Sequence, residues 1–70
     1  MTKLSEKILQ LMNNRGEAMM DTWEIANALY DSTMDFPNPR NGAIISNIIR
    51  AATKDDRLTA HDHRIYLNYP

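Results

Sequence analysis

The 70-residue chain contains no cysteine, so it can form neither a disulfide nor a thiolate zinc site. No apolar run approaches the roughly 20 residues that a membrane span needs. Residues 1–6 also lack the basic and apolar regions of a secretory signal. We therefore expect one cytoplasmic domain, residues 1–70, that does not associate with membranes.

Acidic and basic side chains are nearly equal in number, and the net charge is −1. Acidic side chains nevertheless outnumber basic ones by three in residues 1–36, whereas basic ones are in excess by two in residues 37–70. This asymmetry is compatible with a basic face for nucleic acid, and ordinary surface variation is the alternative. Because a chain this short buries only about 60% of its unfolded surface, a homodimer or a protein partner would add stability.

Two amphipathic helices are predicted in the first half of the chain. Residues 5–14 repeat apolar side chains at helical spacing, with Ser5 as the predicted N-cap and Gly16 as the left-handed residue that ends the helix. The connector 17–20 can form one brief strand. Asp21 is predicted to cap a second helix that ends near Tyr30, and Trp23 in its first turn is expected to cover one end of the core.

The segment from Pro39 to Lys54 predicts a third helix with two chemically different faces, with Asn41 as the alternative start. Its inner face is expected to contain Ile44, Ile45, Ile48, Ile49, Ala51 and Ala52. Its outer face is expected to contain Arg40, Ser46, Asn47, Arg50, Thr53 and Lys54. These outer side chains include donors for phosphates and base edges and no carboxylate, which favours nucleic-acid binding.

After the third helix the periodicity changes to that of strands. Ile65, Leu67 and Tyr69 alternate with Arg64, Tyr66 and Asn68, which predicts a strand with one buried face, and residues 58–60 can pair back across a turn near His61 and Asp62. His61 and His63 would share one face of a regular strand. Without further ligands we expect a polar hairpin tip there rather than a metal site.

The element order is helix, short strand, helix, loop, helix and two-stranded hairpin. Residues 23–29, Trp-Glu-Ile-Ala-Asn-Ala-Leu, resemble the second helix of many winged helix-turn-helix regulators, and residues 64–67 resemble the return strand of the wing. The chain is similar in size to small regulators of fimbrial operons and phage genes. The resemblance implies an α+β fold, a three-helix winged helix-turn-helix with a small C-terminal β-hairpin.

The resemblance also implies double-stranded DNA as the partner and a role in transcription regulation, with the third helix in the major groove and the wing on the backbone or minor groove. The DNA-binding residues expected from position and chemistry are Arg40, Ser46, Asn47, Arg50, Lys54, Arg57, His63 and Arg64. The connection 31–38 is longer than the usual turn of the family, and the predicted wing contains no glycine.

A protein adaptor of the transcription or replication machinery is the alternative function. Met34, Phe36 and Pro37 form an apolar group in the long loop that suits a protein interface. No nucleophile motif or glycine-rich phosphate loop occurs, so we expect no enzymatic activity, no small-molecule substrate and no cofactor.

Overall fold

A computed structural model of the chain describes residues 3–30 and 42–68. These residues form a small α+β fold of three helices and one three-stranded antiparallel sheet, an arrangement compatible with a winged helix. The elements in chain order are α1 (Leu4–Arg15), β1 (Met19–Asp21), α2 (Thr22–Leu29), α3 (Gly42–Thr53), β2 (Leu58–His61) and β3 (Arg64–Leu67). No helix in the described ranges has the length and apolar character needed to cross a membrane.

The sheet has the strand order β1-β3-β2, so the brief first strand joins the C-terminal hairpin. Ile65 lies opposite Met20 on one side and Ala60 on the other. Because side chains alternate along a strand, the side chains of Met20, Ile65 and Ala60 form a row that faces the helices. The neighbouring row of side chains faces the opposite side of the sheet. Arg64 is in that outward row, opposite Asp21 and His61.

The core lies between the inner face of the sheet and the three helices. Its fully buried large side chains are apolar with the exception of Thr22, and they are Ile8, Met12, Met20, Ile25, Ile48 and Ile65. From α3 the core receives Ile44, Ile45, Ile48 and Ala52. Ile49 and Ala51, which were predicted for the inner face, are only partly buried because they lie at its two edges.

Local signals in the sequence set the helix ends, with one correction. Gly16 ends α1 in the left-handed conformation, with φ of 65°, and its amide donates to Asn13. The Asp21 carboxylate accepts a 2.8 Å bond from the Trp23 amide and so caps α2 as predicted. The prediction of Ser5 as the cap of α1 is wrong, because the helix begins at Leu4 and Lys3 occupies the cap position without a side-chain hydrogen bond.

The hairpin turns at Asp62 and His63, one residue later than predicted, because His61 still pairs with Arg64. Asp62 and His63 have positive φ angles of 51° and 61°. Two such residues in succession are the geometry of the type I′ turn, which glycine and asparagine favour. The His63 carbonyl accepts a 3.0 Å bond from the Thr22 amide, which ties the turn to the start of α2. The predicted start of α3 and the Tyr69 end of the last strand lie outside the described residues.

Replacing Asp62 by asparagine and His63 by glycine is expected to raise the free energy of unfolding by about 1 kcal/mol. Both new residues tolerate positive φ, so the strain of the turn falls. Chemical denaturation measures the change, and His63→Ala is the control because its Cβ keeps the strain. A loss of stability in the Asn-Gly variant would show that the present side chains support the turn in another way.

Candidate nucleic-acid interface

Three polar side chains form an exposed strip, Asn47 and Arg50 on α3 and Lys54 directly after its last residue. Helical spacing places Arg50 almost opposite the buried stripe, and Asn47 and Lys54 lie on neighbouring turns of the same side. The strip extends about 10 Å along the helix, roughly three base-pair steps. No carboxylate is present on α3 itself. We call this surface the α3 polar strip.

The other predicted DNA contacts are divided between several places. Ser46 is exposed but faces the hairpin rather than the centre of the α3 polar strip. His63 lies in the hairpin turn, and Arg64 follows it on the outward face of the sheet. Arg57 is the one basic side chain that forms salt bridges within the described residues, so the guanidinium of Arg50 and the ammonium of Lys54 remain available. Arg40 lies outside the described residues.

Arg57, also predicted to contact DNA, already has two carboxylate partners in the structure. Its Nε and Nη2 donate to the two Asp55 oxygens at 2.9 and 2.7 Å. Its Nη2 also lies 2.6 Å from Oε1 of Glu6, which joins the α3–β2 connection to α1. A guanidinium held by two carboxylates is a structural tie, so Arg57 is a poor candidate for a phosphate contact.

The hydrogen bonds from the Arg57 side chain and backbone hold the pKa of Asp55 well below its ordinary value of 3.8. A carboxyl group whose pKa is lower in the folded state stabilises the fold above its unfolded pKa and loses that contribution as the pH falls. The same contact raises the pKa of Arg57.

Asp55→Asn is therefore expected to lower stability at pH 7 and to flatten the loss of stability below about pH 4. The measurement is urea denaturation between pH 2 and pH 7. Asp56→Asn is the matched control, because Asp56 is exposed and forms no salt bridge among the described residues. Identical acid dependence of the wild type and Asp55→Asn would contradict the assignment.

Trp23 is the main surface feature that the sequence interpretation missed. Its side chain is 49% exposed and does not cover the core, contrary to the prediction. It forms one wall of an open cavity of about 520 Å³ between the start of α2, α3 and the hairpin turn. Helical periodicity could have indicated that Trp23 is exposed. On a helix, Trp23 lies about 110° around the axis from the centre of the stripe formed by Thr22, Ile25, Ala26 and Leu29.

A second, shallower cavity continues the first along α3, since both are lined by Ile49 and His63. The two cavities form one surface, which we call the α3–hairpin groove. Its lining from α3 is Gly42, Ile45, Ser46, Ile49 and Thr53, and its lining from the rest of the chain is Asp21, Trp23, Ala60, His61, Asp62 and His63.

Two remaining predictions concern other ligands. The described residues contain no group of three or more side chains placed to hold a metal ion. The prediction that His61 and His63 share one face requires both to lie in a regular strand. In the structure His61 belongs to a strand and His63 to the turn, so this requirement is not met. Met34, Phe36 and Pro37 lie outside the described residues, so the protein-adaptor hypothesis based on that loop stays a prediction.

Comparison of the chain with protein-family models, curated proteins and solved structures found no match.

Proposed function

We propose that this protein is a small winged-helix protein that binds double-stranded DNA as a transcriptional regulator. The observation that supports the proposal is the α3 polar strip, an exposed surface along a helix that contains no carboxylate and whose opposite face is fixed in the core. The strand order, with the first strand beside the C-terminal hairpin, is compatible with the same architecture. In winged-helix proteins the third helix enters the major groove.

In this proposal the α3 polar strip performs both sequence reading and positioning. Arg50, near the centre of the strip, would donate two bonds to guanine O6 and N7, and Asn47 would do the same to adenine N6 and N7. Lys54 at the end of the strip and Arg64 at the hairpin would contact phosphates, which fix the register without reading sequence. The proposal omits Arg57, because Asp55 and Glu6 already bind its guanidinium.

The short hairpin limits what the wing can contribute. Its turn consists of Asp62 and His63 alone, so it lies close to the start of α2 instead of extending outward. We therefore assign the hairpin a backbone contact through Arg64 and His63 and assign base reading to α3.

The test is a titration of isotopically labelled protein with a short DNA duplex at low and moderate salt, followed by amide chemical shifts. The proposal requires shifts that cluster at residues 42–54 and 61–66 and that shrink as salt rises. Shifts confined to α1 would place the contact elsewhere. The absence of shifts at either salt concentration would refute DNA binding by this chain.

Lys54→Ala is expected to weaken binding to all duplexes by a similar factor and to reduce the slope of log affinity against log salt by about one. The reason is that a phosphate contact releases a counterion but reads no base. Fluorescence anisotropy over a salt series measures the slope. Arg15→Ala, an exposed cation at the far end of α1, is the control. A slope that Lys54→Ala leaves unchanged would remove Lys54 from the interface.

A further inference from the structure

The α3–hairpin groove, whose larger cavity is mainly apolar, shares only His63 with the proposed DNA contact. Its floor is formed by Ile45 and Ile49, and the indole of Trp23 stands at one end. From Gly42 to Thr53 the groove follows α3 for about 16 Å, the length of five residues in extended conformation. Exposed tryptophan beside aliphatic side chains is typical of the residues that dominate protein interfaces.

The charges along the groove are those of two carboxylates, Asp21 at its start and Asp62 near its end. His61 and His63 also line the groove, and neither lysine nor arginine does so in the described part of the chain. Carboxylates repel a phosphate backbone and attract a cationic side chain. The groove therefore complements an occupant that is both apolar and basic.

We propose that the α3–hairpin groove binds a short peptide segment of a partner protein, in which an aliphatic or aromatic side chain stands next to lysine or arginine. The apolar side chain packs on Ile45 and Ile49 beside Trp23. The cationic side chain pairs with Asp21 or Asp62 at the rim.

The groove and the α3 polar strip lie on different sides of the same helix. Ile45, Ile49 and Thr53 follow one stripe along α3, about 130° in helical phase from the stripe of Asn47, Arg50 and Lys54. A narrow peptide in the groove leaves Arg50 exposed. The two sites share His63 alone, so peptide binding and DNA binding are measured separately.

The experiment uses a displayed library of random seven-residue peptides, selected on the wild-type protein and counter-selected on Trp23→Ala. Alanine is a good helix former, so this variant removes one wall of the groove and keeps α2. The selected peptides are expected to combine an apolar anchor with a basic residue. Trp23 is the single tryptophan of the chain, so its emission should shift to shorter wavelength, and saturate, as a synthetic selected peptide covers it.

The charge requirement is tested by the double variant Asp21→Asn and Asp62→Asn. Asparagine is a good N-cap and tolerates positive φ, so both substitutions keep the local structure. The double variant should bind the selected peptide at least tenfold more weakly and bind a DNA duplex no more weakly than the wild type. The matched control is Glu17→Gln with Asp56→Asn, which removes the same charge from residues that do not line the groove. This control should change peptide affinity less than twofold.

Several results would overturn the proposal. One is a selection that yields no peptide able to shift the Trp23 emission. Another is a set of selected peptides that lack basic residues. The third is a double variant that binds the selected peptide as tightly as the wild type does. A single-stranded oligonucleotide that shifts the emission at lower concentration than any selected peptide would assign the groove to nucleic acid instead.

Discussion

Replacing Ile48 by alanine is expected to lower the free energy of unfolding by about 2–5 kcal/mol. Ile48 is fully buried on the inner face of α3, where the helix packs on α2 and the sheet. Alanine would leave a cavity, and the neighbouring side chains of this small core would fill it only in part. Since a domain of this length has a total stability of about 4–10 kcal/mol, the variant would lose a large fraction of it.

Chemical denaturation followed by circular dichroism measures this effect. Ile48→Val removes one methyl group and should cost about 0.5–1.5 kcal/mol, which gives a graded series at one site. Ser46→Ala, on the exposed side of the same helix, should stay within about 0.5 kcal/mol of the wild type. A cost below 1 kcal/mol for Ile48→Ala would mean that α3 is not packed as the structure has it.

Replacing Arg50 by alanine is expected to weaken DNA binding by about 1–3 kcal/mol, roughly 5-fold to 150-fold. The physical reason is that a guanidinium can grip both acceptors of a guanine edge, and an alanine leaves them without a partner. The effect should concentrate at one base pair, so the variant should also lose discrimination at that position.

Duplexes selected from a random pool with the wild-type protein provide the ligand for this measurement. Affinities for the selected site and for single-base variants then separate base reading from phosphate contact. Arg50→Lys is the matched control, because it keeps the charge and loses the two-pronged geometry. If Arg50→Lys binds and discriminates like the wild type, Arg50 contacts phosphate only. If Arg50→Ala keeps full affinity, the α3 polar strip is not the DNA interface.

The two measurements are connected through α3. The buried side of α3 holds the helix in place, and its exposed side provides the hydrogen-bond donors. A loss of DNA affinity therefore identifies a DNA-contacting residue only when the variant is folded. Arg50 is exposed, so Arg50→Ala should unfold at the same denaturant concentration as the wild type. Ile48→Ala should lose DNA affinity and stability together.

The predictions that succeeded depend on interactions between near neighbours in the chain. The left-handed Gly16, the cap from Asp21 to Trp23 and the alternation around Ile65 each involve residues a few positions apart. Short-range geometry of this kind is readable from residue type and spacing. Two local predictions failed: the cap position of α1 is Lys3, which makes no side-chain cap bond and so gives no capping signal in the sequence, and the hairpin turn lies one residue later than predicted.

The features that were not predicted depend on contacts between distant parts of the chain. Glu6 and Arg57 are 51 positions apart, and only the packing of α1 beside the α3–β2 connection brings them together. The same packing gives Arg57, which was predicted to contact phosphate, a second carboxylate partner besides Asp55. The α3–hairpin groove likewise requires Trp23, Ile49 and His63 to meet from three separate elements.

The sequence by itself determined the three amphipathic helices, the hairpin and the carboxylate-free outer side of α3, because helical and strand periodicity sort side chains onto faces before any packing occurs. Tertiary structure alone decided which of those faces remain open. It joined β1 to β3, paired Arg57 with Glu6, and left Trp23 at the wall of a groove. The reason is that burial and charge pairing depend on which elements become neighbours, and periodicity within one element carries no information about its neighbours.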